Sequence, residues 1–382
     1  MLQGVPQVTF SNPFPASNPL VPAVGKDNGV DYGLGQSGLE YNAPNRKHTT
    51  SERMNVSIQR ELPYHFVAKA TYLFVPTSNI GWTYNPNMVN PALSYNSTTG
   101  PELNQQVPNP FYSIGTPSTY PGALRYSQTV PLSQLLTPFP QYESLAEDFT
   151  PGMSARYQSF GIQLQRSFHD GLSVMATYNY HYEKDQYFYD ALDQYTVKWS
   201  WAPAASADYE GHATNGRHGF TETSVWEIPV GRGKRFLSST PRALNYVIGG
   251  WEFADVLTYK SAHYPIFPAM LQVGNPTADV PRGYYFNPNA FALLPPWTRR
   301  TNQNTYSGVK GPSYFNIDAT LNKNIKINER FTAKFSATAY NVLNTYVPAD
   351  PNTNNVGSPT FGQSTDQGNS GRQVDLGMKV VF

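Results

Sequence analysis

The chain ends in Arg372-Gln373-Val374-Asp375-Leu376-Gly377-Met378-Lys379-Val380-Val381-Phe382, and this stretch decides the fold. The apolar residues share one parity, Val374, Leu376, Met378, Val380 and Phe382, and the polar or small ones share the other. Because successive side chains of a β-strand point to opposite faces, the pattern predicts a strand with one apolar and one wet side. A globular core supplies such surroundings, and so does a bilayer outside a watery lumen.

The composition narrows the class of protein. Charged residues make up 14% of the 382 residues, against about 25% in ordinary soluble domains. Aromatic residues also reach 14%, with 27 Tyr and 21 Phe. No apolar run approaches the roughly 18 residues that a membrane helix needs. Low charge and abundant Tyr are typical of a β-barrel with aromatic girdles, and the alternative is a secreted β-sandwich or carbohydrate-binding module.

The sequence excludes some kinds of chemistry and some partners, and its first residues bear on export. The chain has no Cys, which excludes disulfides, Cys-ligated metals and thiol catalysis. Its net charge of +1 predicts no nucleic-acid partner. The first residues, Met1 to Pro6, show neither the basic nor the apolar region of a signal peptide. Because an outer-membrane protein must be exported, the membrane interpretation predicts a fragment whose first segment lies upstream.

Alternation like that of the last strand recurs along the chain and predicts hairpins. The alternating pairs are 54–62 with 66–74, 160–168 with 172–182, and 315–325 with 331–339, and a less regular pair is 218–228 with 246–259. Tight turns are predicted at 62–64, at 328–329 and at His169-Asp170-Gly171, where Asp-Gly favours a hairpin turn. With the last strand this makes about nine strands, many with the roughly 9–11 residues of a tilted membrane strand.

The connections between these strands alternate between short and long. Long polar stretches rich in Pro, Asn, Tyr, Ser and Thr occupy 76–152, 184–215, 260–312 and 345–370. Outer-membrane barrels have this pattern, with short periplasmic turns and long extracellular loops. Since the last strand starts from a long loop, the C-terminus at Phe382 is predicted to be periplasmic.

Several segments, taken in order, resemble the barrel of TonB-dependent transporters, in particular the Oar-like group that carries a carboxypeptidase-regulatory-like domain upstream. They are Tyr157 to Phe160, Tyr178 to Tyr180, Glu227 to Arg235, Gly249 to Trp251, Phe286 to Phe291, Gly311 to Asp318, Tyr340 to Asn344, Phe361 to Gln363 and Arg372-Gln373. A final strand that ends in Phe also resembles the closing strand of bacterial outer-membrane proteins. That resemblance implies a structural barrel assembly signal in Val374, Leu376, Met378, Val380 and Phe382.

The resemblance implies an all-β fold, an antiparallel transmembrane β-barrel with long extracellular loops. Whole barrels of this class have about 22 strands and a plugged lumen, so we expect a partial barrel, about 9–12 strands of a larger up-and-down barrel. Residues 1–50 are predicted to be an incomplete strand and loop region at a truncated start. Residues 51–382 are predicted to be the C-terminal portion of the barrel. The plug, the energy-coupling box and the signal peptide of the family are not visible in the sequence.

The resemblance also implies a location, partners and a function. The location is the outer membrane of a Gram-negative cell. The partners are outer-membrane lipid, the barrel-assembly machinery, and periplasmic TonB with its inner-membrane energising complex. TonB would act through the missing plug. The barrel is expected to be monomeric. The function is to form the wall for energy-coupled uptake of a bulky ligand. The alternatives are a structural or adhesive outer-membrane barrel without transport, and a secreted glycan-binding β-sandwich.

Motifs for catalysis or cofactor binding are weak. His181 and Glu183 share a strand face and could touch a cation, although polar lumen residues explain them better. The segment 231–235 looks like a phosphate loop but lacks its spacing and following helix, so we interpret it as a basic turn beside a membrane interface. The Tyr-rich segment 178–195 is interpreted as an aromatic girdle rather than a sugar-stacking platform. No GxSxG elbow is present, and we predict no enzymatic activity, no cofactor and no metal site.

Overall fold

A computed structural model describes residues 33–117, 120–203, 216–328 and 330–381 of the protein. The chain divides into two compact units. The first contains the described part of 1–40, with 85–89 and 102–146, and the second contains 41–84, 90–101 and 147–382. The first unit is built from short elements around Tyr120, Leu124 and Val130, and the second contains the long strands.

Strands dominate the described residues. They are β1 Leu39–Asn42, β2 Thr50–Ser51, β3 Met54–Leu62, β4 Phe66–Tyr84, β5 Gln106–Pro108, β6 Thr129–Pro131, β7 Leu145–His169, β8 Leu172–Tyr187, β9 Ser200–Pro203, β10 His218–Glu227, β11 Trp251–Lys260, β12 Leu271–Gln272, β13 Phe291–Ala292, β14 Tyr314–Lys326, β15 Thr332–Tyr340 and β16 Gln373–Val381. The α-helices are α1 Pro91–Ser94, α2 Thr99–Glu102, α3 Leu132–Leu135, α4 Ala191–Tyr195 and α5 Arg242–Ile248, and 3₁₀ helices occupy Pro63–His65, Ala123–Tyr126 and Pro288–Ala290. None of the described helices has both the length and the apolar character needed to cross a membrane.

The long strands form one antiparallel sheet in which neighbours along the chain pair with each other. Its order is β16-β15-β14-β11-β10-β8-β7-β4, and β3 pairs with the other edge of β4. This up-and-down order follows from hairpin connections and confirms the predicted all-β antiparallel fold. In the described part of the chain, β3 and β16 each pair with a single strand, so the sheet has two free edges.

The strand register separates an apolar face from a polar face. Leu376 lies opposite Ala337, and Ala337 lies opposite Leu321, so apolar residues form a continuous row across three strands. We call this side the apolar face; many of its large residues are exposed, Leu376 to 82%. The next row, Asp375, Thr338 and Thr320, belongs to what we call the polar face. Alternation therefore produces the two environments that a membrane wall requires.

The turn between β7 and β8 has the predicted geometry. Asp170 and Gly171 both have positive φ angles, 49° and 79°. Two positive φ angles match the right-handed twist of a hairpin, and Asp-Gly adopts them at low steric cost. The prediction of a tight hairpin at His169-Asp170-Gly171 is confirmed.

Two predicted boundaries were wrong. The strand expected over 246–259 begins only at Trp251, because residues 242–248 form helix α5. The long loop expected over 76–152 is shorter, since β4 continues to Tyr84 and β7 starts at Leu145. The pairing of β4 with β7 is irregular between Thr77 and Tyr84. Such irregular pairing shifts the side-chain parity locally, which removes the alternation that sequence reasoning depends on.

In the second unit the buried apolar core lies in the long connections of the sheet. It consists of Phe267, Met270, Phe286, Ala290, Phe291, Tyr306, Val309 and Phe361. The Phe267 ring centroid lies 4.9 Å from that of Phe286 and 5.1 Å from that of Phe291. Burial of aromatic rings gives the connections 261–313 and 341–372 a packed core of their own.

Candidate functional site

The polar face carries a network of paired side chains on β11, β14 and β15. Glu252 Oε1 accepts a hydrogen bond from Asn322 Nδ2 at 2.9 Å and lies 3.8 Å from Lys334 Nζ. Further along, the hydroxyls of Thr320 and Thr338 are 3.0 Å apart across the strands. Opposite charges and hydrogen bonds therefore balance one another on this side of the sheet, which suits a surface in contact with water.

A cavity of ≈ 630 Å³ opens on the polar face where the strands meet the long loops. The strand residues that line it all belong to the polar face, and the rest come from the loop after β15. The lining is Thr258, Lys260, Tyr314, Asn316, Asp318, Tyr340, Asn341, Gly368, Asn369, Ser370, Gly371 and Gln373. The cavity combines a cation, a carboxylate, several amides and two phenol rings. Such a lining can hydrogen-bond a polar ligand and stack against its flat or sugar-like parts.

Asn341 holds the loop that forms the rim of this cavity. Its Nδ2 donates to Thr345 O and Ser370 O, both at 3.0 Å, and its Oδ1 accepts from Thr345 N at 2.8 Å. The backbone N–H of Asn341 donates to Asp318 Oδ1 at 2.8 Å, which ties the loop to the polar face. Asn341 is buried and has a positive φ of 50°, a conformation that Asn adopts more readily than most residues. The cavity therefore has a defined rim.

Two distant connections are joined by a charged cluster, Asp190, Asp193 and Arg299, which we call the loop clamp. Asp190 Oδ1 caps α4 by accepting from Leu192 N and Asp193 N, at 3.0 and 3.1 Å. Arg299 Nε donates to Asp190 Oδ2, and its Nη2 donates to Asp193 Oδ1 at 2.8 Å. The two carboxylate side chains are only 5% and 7% exposed. The hydrogen bond to Asp190 raises the pKa of the Arg299 guanidinium above its ordinary value.

The loop clamp was missed by sequence reasoning. Asp190 and Arg299 are 109 positions apart, and neither belongs to a recognisable motif. The N-cap position of Asp190 before Ala191 is a local signal for a helix start, but it does not reveal the partner.

Aromatic side chains also collect at the long-loop ends of β4 and β8. The Phe188 ring stacks on Trp199 with centroids 4.1 Å apart, and Trp82 lies 4.7 Å from Phe188 in an edge-on arrangement. Within the Tyr-rich segment, Tyr178 and Tyr180 belong to the apolar face, and Tyr178 Oη lies 2.7 Å from His218 Nδ1. The cluster of Trp82, Phe188 and Trp199 at the strand ends is typical of an aromatic girdle, which barrels carry at the membrane interfaces.

The described residues of the predicted assembly signal lie on the face of β16 that the alternation predicts. Val374, Leu376, Met378 and Val380 form the exposed apolar face of β16, while Phe382 lies outside the described residues. Their role as an assembly signal stays a prediction.

His181 and Glu183 lie on the polar face of β8, where the His181 ring is 6.2 Å from that of Tyr157. In the described ranges no group of three or more His, Cys, Asp or Glu residues is arranged to hold a metal ion.

A continuous antiparallel sheet with one exposed apolar face, one polar face and long connections on one side is the wall of a transmembrane β-barrel. The chain belongs to the outer membrane beta barrel domain family, whose model matches residues 2–375. The protein is thus an outer-membrane β-barrel protein, and a secreted β-sandwich is excluded.

Solved structures of two outer-membrane proteins are similar to this chain. The outer membrane transporter YddB from Escherichia coli is 11% identical, with a TM-score of 0.42, over 90% of this chain and 34% of that one. The ferripyoverdine receptor of the outer membrane of Pseudomonas aeruginosa, bound to ferripyoverdine, is 10% identical, with a TM-score of 0.37, over 87% of this chain and 27% of that one. The chain thus spans about a third or less of these proteins. No curated protein matches it.

Proposed function

We propose that this chain forms part of the wall of a TonB-dependent transporter of the Oar-like group, which takes up a bulky polar ligand. The polar face borders the passage, and the cavity beside Asp318 and Lys260 receives the ligand as it leaves the long loops. The chain itself performs no catalysis. Further strands of the same barrel pair with the free edges of β3 and β16, because unpaired backbone groups are not tolerated in lipid.

The observation that carries this proposal is the position of the cavity. All of its strand residues belong to the polar face, and it lies at the end of the sheet that bears the long loops. A purely structural barrel has no need of a cavity with a cation, a carboxylate and phenol rings at this end. The ordered sequence segments that resemble TonB-dependent transporters support energy coupling through TonB. The same resemblance supports a periplasmic C-terminus, with the long loops outside the cell.

Uptake by cells tests the proposal. A strain that lacks the gene and the same strain complemented with it are given a defined mixture of iron chelates, oligosaccharides and peptides, and depletion of each compound is measured. We expect at least one compound to be depleted by the complemented strain and not by the strain that lacks the gene. A protonophore, which removes the proton gradient, should abolish this depletion. Complementation with Asp318→Asn, which removes the cavity's carboxylate charge, should slow depletion of that compound. Equal depletion by both strains would refute a transport role.

A structural or adhesive role is the alternative function. It predicts unchanged depletion of every compound together with altered cell–cell adhesion after deletion. The same two strains answer this question when aggregation is measured alongside uptake.

A further inference from the structure

A second cavity, of ≈ 550 Å³, lies at the opposite end of the sheet, where β10, β11 and β14 reach their shorter connections. Arg232, Lys234, Arg242 and Lys326 line it, and no Asp or Glu is present among its lining residues. The connection 228–250 contains four cations and no acidic residue. Of these cations Lys234 is paired, with Glu227 Oε2 at 2.8 Å. The cavity therefore concentrates positive charge in a chain whose net charge is only +1.

The shape of this cavity depends on Asn245. Its Oδ1 accepts a hydrogen bond from Arg232 N at 2.7 Å, which ties the basic turn to helix α5. Gly231 has a φ of 118°, and a Cβ at this position would approach Asn245 Oδ1 to 2.5 Å. Glycine at 231 therefore permits the close approach of turn and helix that shapes the cavity.

Exposed apolar side chains lie on the same two elements as the cations. Phe236 and Leu237 from the basic turn and Leu244 and Val247 from α5 are all exposed, Val247 to 66%. A short element that presents large apolar side chains together with Lys and Arg is typical of one that lies in a membrane interface. In that position the apolar groups enter the acyl region while the cations stay at the level of the lipid head groups.

Helix α5 is attached to the side of the sheet that faces lipid. Lys323 belongs to the apolar face, since it lies opposite Phe335, which in turn lies opposite Met378. Its Nζ donates to Val247 O at 2.7 Å and to Gly249 O, and it lies 4.7 Å above the Trp251 ring. Trp251 Nε1 donates to Val247 O at 2.9 Å. These contacts place the C-terminal end of α5 beside the apolar face.

We propose that this basic cavity binds the phosphate group of an anionic phospholipid from the membrane leaflet next to the short connections. Arg232 and Arg242, both from the connection that carries α5, hold the phosphate, and Phe236, Leu244 and Val247 contact the acyl chains. A phospholipid fits better than free phosphate, because free phosphate has no use for the surrounding apolar side chains. The inference rests on the barrel fold and is independent of transport.

Native mass spectrometry of the full chain in maltoside micelles tests the lipid site. The chain is mixed with phosphatidylglycerol or with phosphatidylcholine of the same acyl chains, and the retained lipid is counted. We expect phosphatidylglycerol to be retained at least about tenfold more. Arg232→Gln with Arg242→Gln should weaken its binding about thirtyfold, since each cation near a lipid surface contributes about fivefold. The matched control is Arg282→Gln with Lys310→Gln, which removes two exposed cations from the long-loop side and should leave binding unchanged.

Further variants keep the result interpretable. Leu244→Ser with Val247→Ser changes exposed side chains only, and it should weaken phosphatidylglycerol binding while the protein stays folded by circular dichroism. Equal retention of both lipids, or unchanged lipid binding by the Arg232→Gln/Arg242→Gln variant, would overturn the proposal. Displacement of the lipid by an equal concentration of inorganic phosphate would reassign the cavity to free phosphate.

Discussion

Ser224 and Asp255 lie opposite each other on β10 and β11, and the Ser224 hydroxyl donates a hydrogen bond to the Asp255 carboxylate on the apolar face. Glu222, two residues before Ser224 on the same face, is the diagonal neighbour of Asp255 across the two strands. The next pair along this face is Trp226 with Phe253. Two carboxyl groups therefore meet on a side of the sheet that is otherwise apolar. Carboxylates are costly in a bilayer, and like charges at short range repel each other.

Asp255→Asn should stabilise the membrane-inserted protein. Asn retains an oxygen that accepts the Ser224 hydrogen bond and removes one of the two carboxylates. We expect the free energy of unfolding to rise by about 1 kcal/mol at neutral pH. Ser224→Ala should lower it by about 1 kcal/mol, because the Asp255 carboxylate loses a donor. The free energy of unfolding of each variant is measured by urea titration in lipid vesicles, with the folded fraction read from gel mobility of unheated samples. An Asp255→Asn protein that is less stable than wild type would contradict this account.

Arg299→Gln should open the loop clamp. Asp190 and Asp193 are almost fully buried, so removal of the guanidinium leaves two carboxylates with their charge uncompensated. Since Arg299 is itself partly exposed, we expect a local loss of about 2 kcal/mol rather than the full cost of a buried pair. Chymotrypsin cleavage at Tyr189 or Tyr195 should therefore become roughly 30-fold faster. Arg282→Gln, on an exposed loop, is the control, and equal cleavage rates for the two variants would show that the clamp is not stabilising.

Asn302→Ala should loosen the core of the long connections. Asn302 is fully buried, its Nδ2 donates to Pro268 O and Gln303 O at 2.8 and 3.0 Å, and its Oδ1 accepts from Met270 N at 2.9 Å. Loss of these bonds leaves buried backbone groups unpaired, at a cost of about 3 kcal/mol. Hydrogen exchange of the Met270 amide should speed up about 100-fold. Gln303→Ala, which removes an exposed side chain, should change it little; similar exchange in both variants would argue against this role.

Leu376→Lys should impair membrane insertion, whereas Asp375→Lys should not. The two residues are adjacent on β16, but Leu376 belongs to the apolar face and Asp375 to the polar face. A lysine that faces the middle of the bilayer costs about 3 kcal/mol, and one that faces water costs little. The measurement is the fraction of protein that folds into lipid vesicles, seen by gel mobility. Equal yields from the two variants would mean that the faces are assigned the wrong way round.

Deletion of Phe382 tests the predicted assembly signal. If the terminal aromatic residue serves the barrel-assembly machinery, the deletion should lower the amount of protein in the outer membrane of cells. Spontaneous folding of the purified chain into detergent should stay near the wild-type level, since only one terminal side chain is lost. A normal amount in cells would refute the signal.

The sheet was largely predictable from the sequence because its signals are local. Alternation over Phe315 to Ile325 and over the last strand predicted which residues share a face, and Asp170-Gly171 predicted a hairpin turn. The prediction failed where parity breaks, in β4 beyond Thr77, and where apolar residues formed helix α5 instead of a strand. Pairs of strands with regular side-chain parity can be predicted from sequence, and irregular pairing cannot.

The sequence by itself determined that this protein contains an antiparallel sheet with one mainly apolar and one mainly polar face, because the period of two along each regular strand assigns alternate side chains to opposite sides. Only the tertiary structure decided where its chemistry lies. The cavity beside Asp318, the loop clamp of Asp190 and Arg299, and the basic cavity near Arg242 each join residues from distant parts of the chain. These residues come into contact because of the strand register and the packing of the loops. Local sequence patterns do not predict such contacts between distant parts of the chain.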